Sequence, residues 1–136
     1  MEDDGDDPRP ALMLLVAALV AFIAGLLVWT VFSLVGGLHE AWDGSAWWSL
    51  GLPILVVAAA VCGYLGPVRV WRWSCLIVAG QFVGVALVHP PGTGLGLLPL
   101  TLVFIALPMI ILLIVPAIVG GMIARRGWDR ALLVRP

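Results

Sequence analysis

Few residues of this 136-residue chain could do chemistry, and they fall in two places. His39, Glu40 and Asp43 stand together after the first apolar run, and His89 stands after the third. Imidazole nitrogens and carboxylate oxygens are ordinary ligands of divalent metals. His39 and Asp43 are four apart, so a helical continuation places them on one face. The spacing lacks the HExxH pattern of a zinc peptidase. Three readings stay open: an outer-face metal site serving an enzyme or sensor, a proton-relay pair of histidines, and plain polarity where helices leave a bilayer.

The second place lies inside apolar sequence. Gln81 is the most polar residue within any apolar run, and Pro108 and Pro116 interrupt the last run. A proline lacks an N–H and presses its ring on the carbonyl four residues back. Pro108 and Pro116 are therefore expected to free the carbonyls of Phe104 and Leu112. In lipid, freed backbone groups need another donor. The Gln81 amide is expected to serve Leu112, and Thr30 or Ser33 to serve Phe104. Such groups could line a small solute pathway, as broken helices do in transporters; the plainer reading is a structural hydrogen bond worth about 0.6 kcal/mol.

The elements that must position these residues are four apolar segments, at about 11–35, 46–65, 71–89 and 99–124. The chain is 62% apolar and 11% charged, with a mean hydropathy of +1.14. A soluble domain is about half apolar and a quarter charged. Hydrocarbon about 30 Å thick takes about 20 apolar residues in a helix, which each segment approaches or exceeds. The expected fold is all-α, an integral membrane four-helix up-down-up-down bundle in which short turns set each helix beside its predecessor. Residues 1–10 read as a disordered acidic tail and 125–136 as a basic tail. The acidic start and long first run do not fit a cleaved leader, so the first helix is expected to stay in place.

Charge sets the expected orientation. All seven basic residues are arginines, at positions 9, 69, 72, 125, 126, 130 and 135. They fall at the two ends and in the middle turn, so the positive-inside rule puts both termini and that turn in the cytoplasm of a plasma membrane. Trp42, Trp47 and Trp48 are then expected to form an outer aromatic belt, with Trp71, Trp73 and Trp128 the inner one. Without a basic patch away from the membrane ends, nucleic acid is not an expected partner.

Small residues recur every fourth position: Ala17, Ala21 and Gly25, then Ala59 and Gly63, Gly80 and Gly84, Ala117 and Gly121. Such stripes let helix backbones approach in lipid, within this chain or against a membrane-protein partner or second copy. Cys62 and Cys75 read as small packing residues on the reducing side. No catalytic motif occurs and no carboxylate lies within a span, so no enzyme activity and no cofactor are expected. The leading expectation is a non-enzymatic accessory or scaffold subunit in the lipid bilayer. A small-solute or ion transporter or channel built around Gln81 is the first alternative, and the outer-face metal-dependent protein the second.

Overall fold

The computed structural model describes residues 11–36, 41, 44–88 and 102–133, the side chains of 102, 103 and 128–133 excepted. His39, Glu40, Asp43, His89 and the acidic tail lie outside the described residues, as do the side chains of Trp42 and Trp128. Four helices account for the described chain: α1 (Ala11–Gly36), α2 (Leu52–Leu65), α3 (Trp71–Val88) and α4 (Leu107–Leu133). No strand occurs among the described residues. Counting the turns that lead into α2 and α4, all four are long and apolar enough to cross a membrane. The fold is thus the all-α, four-helix membrane fold that composition implies.

A wide helical turn precedes α2 at Trp47–Gly51, and another precedes α4 at Leu102–Ala106. Each runs directly into a Leu-Pro pair, Leu52-Pro53 and Leu107-Pro108. The physical reason is the proline ring, which in a regular helix collides with the carbonyl four residues back. A turn closed five residues back opens the backbone ahead of it. Leu52 N–H accordingly donates to the Trp47 carbonyl. Pro108 therefore stands at the mouth of α4, and only Pro116 lies inside that helix.

The closest packing is made by glycine. At the centre of α1 and α3, the Ile77 carbonyl oxygen occupies the place a Cβ of residue 25 would take, and the Phe22 carbonyl does the same at Gly80. The arrangement recurs between α2 and α4, where the Ala117 carbonyl meets Gly63 and the Ala60 carbonyl meets Gly120. Backbones this near gain dispersion and Cα–H···O contact without any polar side chain. Each helix contributes one tetrapeptide ending in glycine: FIAG, AVCG, IVAG and AIVG.

These contacts also set the neighbours, and here the expected arrangement changes. The most extensive interfaces join α1 to α3 and α2 to α4, with smaller ones between α1 and α2 and between α3 and α4. Despite their short connection, α2 and α3 barely touch. Helices therefore do not pack chiefly on their predecessors; matching glycine faces outweigh connection length. Gly25 meets Ile77 and Gly84 meets Trp29, so α1 and α3 advance side by side in one direction. Cys62 Sγ donates to the Ala17 carbonyl at 3.3 Å while Gly51 meets Val28 and Phe32, so α1 and α2 run oppositely.

Between the two pairs lies a core whose largest fully buried side chains are Trp29, Trp47, Leu55, Ile77 and Leu113. Trp47 is only 2% exposed, whereas its neighbour Trp48, ring edge to ring face at 4.9 Å, is 56% exposed. Trp73 is likewise buried, with its indole N–H on the Gly66 carbonyl. Trp47 and Trp73 are thus core residues rather than belt residues. Trp48 and Trp71 keep the outward position expected of the belts.

Candidate functional site

Gln81 sits on the face of α3 that Ile77, Gly80 and Gly84 share, the face turned into the bundle. It is 6% exposed, and its amide Nε2 has no hydrogen-bond partner. The side chain borders a small cavity with Trp29 of α1, Phe82 and Val85 of α3, and Ile105, Ala106 and Met109 around the wide turn into α4. About 10 Å³ is open there to a water-sized sphere, room for one water-sized group at most. Apart from Gln81 and the Trp29 indole, the walls carry only apolar side chains.

Two other predicted donors lie nearby without partners. The hydroxyls of Thr30 and Ser33 are buried and unbonded, and Thr30 Oγ1 faces Gly84 across the α1–α3 interface. The expected bonds are therefore not made: Gln81 does not donate to Leu112, nor Thr30 or Ser33 to Phe104. Helical rotation is one reason. The buried positions run from Ala106 in the wide turn to Met109, Leu113 and Ala117 of α4, and each helical residue turns about 100° from the last. Leu112, at 46% exposure, and Phe104, at 71%, consequently face outward. At Phe104 the wide turn supplies a second reason, since it relieves the backbone where a hydroxyl was expected to do so.

The small-residue positions are all interior. Ala17, Ala21 and Gly25, Ala59 and Gly63, Gly80 and Gly84, and Ala117 and Gly121 are buried within this one chain. Gly121 meets Val70 and Pro67 in the α2–α3 connection. Gly120 is the glycine of α4 that takes the close crossing, and a four-residue count from Ala117 passes it by. The repeated tetrapeptide ending in glycine was the signal that marks it. Ser74, fully buried with an unbonded hydroxyl, carries no comparable signal. Among the described residues, no three histidine, cysteine or acidic side chains gather as a metal site would need.

These features define a class: an all-α membrane protein of four helices closed at two glycine crossings, with a buried amide beside its core. No family model matches the chain, and no curated protein or solved structure is detectably similar to it. What can be said of function therefore rests on the residues themselves.

Proposed function

We propose that the protein is a non-enzymatic accessory or scaffold subunit of a membrane complex, a multi-pass protein of the plasma membrane with both termini cytoplasmic. The observation that carries this reading is the pair of glycine crossings. Main chain rests on main chain at the centre of both helix pairs, so a solute path there would have to part the two tightest contacts in the fold. Arg125 of α4 bonds to Pro67 in the connection that carries Arg69 and Arg72, and arginines from both parts of the chain at one end support the orientation. Because the small-residue stripes are occupied within the chain, a partner helix or second copy would meet the outward apolar faces, such as Leu15, Leu19, Ile23 and Leu27 of α1.

Purification from the native membrane in mild detergent, with mass spectrometry of the intact complex, tests this reading. A defined foreign subunit at fixed stoichiometry is the expected outcome. A homo-oligomer that moves solute in vesicles would overturn it and favour the second reading, a small-solute or ion transporter or channel. The unpartnered Gln81 amide is the observation on that side, and loss of flux in Gln81→Leu would secure it.

A further inference from the structure

Both glycine crossings obey one rule. The Ile77 carbonyl that meets Gly25 lies three positions before Gly80, and the Phe22 carbonyl that meets Gly80 lies three positions before Gly25. Exchanging the two helices leaves the contact unchanged. The second crossing behaves alike: the Ala117 carbonyl on Gly63 lies three before Gly120, and the Ala60 carbonyl on Gly120 lies three before Gly63. Ala117 meets Gly63 and, one turn further along both strands of chain, Gly121 meets Pro67, so α2 and α4 advance together as α1 and α3 do. Reciprocal contact between helices of one direction is the mark of a two-fold axis running along them.

The spacing along the chain repeats as well. Gly25 and Gly80 are 55 positions apart, and so are the wide turns Trp47–Gly51 and Leu102–Ala106 and the Leu-Pro pairs behind them. The halves diverge only beyond the prolines, where the crossing glycine follows after ten residues in α2 and twelve in α4. One position between α1 and α3 breaks the equivalence. Residues 29 and 84 are also 55 apart, and they face each other: a Cβ at residue 84 would stand 3.1 Å from the Trp29 Cβ. One is the largest residue type and the other the smallest. Trp29 is 1% exposed and borders the cavity lined by Gln81 and Val85 of α3 and Met109 of α4, so its indole is seated against the second hairpin. Two tryptophans at this point would claim the same space, and two glycines would leave a hole.

We propose that the α1–α2 and α3–α4 hairpins are two copies of one structural unit paired across a two-fold axis along the helices, and that Trp29 and Gly84 are the knob and hole that make each hairpin select the unlike half of its own chain. A first hairpin that met the first hairpin of a second copy would bring two indoles to one point. Excluding the wrong partner in this way is what gives an interface its specificity. The glycine faces therefore close within one chain.

The test exchanges the two residues in the full chain, purified in mild detergent. Trp29→Gly removes a buried indole and Gly84→Trp sets two at one point, so each is expected to lower the melting temperature by roughly 10 °C. The double variant Trp29→Gly/Gly84→Trp moves the knob to the other half. It is expected to melt above both single variants and to keep the intact mass of the unsubstituted chain in native mass spectrometry. Equivalence of the halves requires this, because the transferred indole then enters the first hairpin as Trp29 enters the second. A double variant that melts no higher than the better single variant would overturn the proposal. Recovery with a doubled mass would overturn it too, since the hairpins would then be pairing between copies.

Discussion

Replacing Gly25, Gly63, Gly80 or Gly120 with alanine sets a methyl group against a main-chain carbonyl that cannot rotate aside. Each substitution is expected to lower the unfolding free energy by about 1–3 kcal/mol, as overpacking of a filled core does. Gly127 is the internal comparison, because nothing lies within 4 Å of a Cβ there. Gly127→Ala should instead stabilise by about 0.5–1 kcal/mol, through helix propensity alone. Denaturant titration in mixed micelles, followed by circular dichroism, separates the two groups. Gln81 gives a different sign. A buried donor left unbonded costs about 1–3 kcal/mol, so Gln81→Leu should leave stability unchanged or raise it. A loss above about 1 kcal/mol would mean that the amide has a partner in the membrane.

At the scale of the helix, three prolines are expected to behave in two ways. Pro53 and Pro108 stand near the first residue of their α-helices, behind wide turns that accommodate the ring. Pro53→Ala and Pro108→Ala should therefore change stability by less than about 1 kcal/mol. Pro116 lies within α4 with regular helix on both sides. Pro116→Ala should raise stability by up to about 3 kcal/mol, and amide exchange around Leu112 should slow as its carbonyl regains a donor. The extent of two helices was legible in the apolar runs: 11–35 was expected against Ala11–Gly36, and 71–89 against Trp71–Val88, whereas α4 runs on to Leu133, past the expected end at 124. Their internal irregularity was not. A proline announces that some carbonyl loses its donor, but whether a side chain or a wider turn answers for it depends on backbone room that residue types do not encode.

Across the whole molecule, membrane character was legible and helix order was not. Apolar length alone determines that a segment can cross a bilayer, and four segments had it. Which helices touch depends on which glycine-bearing faces meet, and α1 has its match on α3 rather than on the nearer α2. The buried amide was legible for a related reason. Glutamine in an apolar run has to face protein, so Gln81 could be placed in the interior, whereas its partner depended on the rotation of α4 about its own axis.

The pairing of α1 with α3 and of α2 with α4 bears on how the chain is made. A ribosome delivers these helices in order, and a chain that has emerged only as far as Leu65 contains neither glycine crossing. Gly25 and Gly63 then face lipid with their grooves open until α3 and α4 follow. The first hairpin alone thus holds both grooves and neither of the helices that fill them. A ribosome pause between α2 and α3 would lengthen that exposure, and one after α3 would leave only the α2–α4 seam to close.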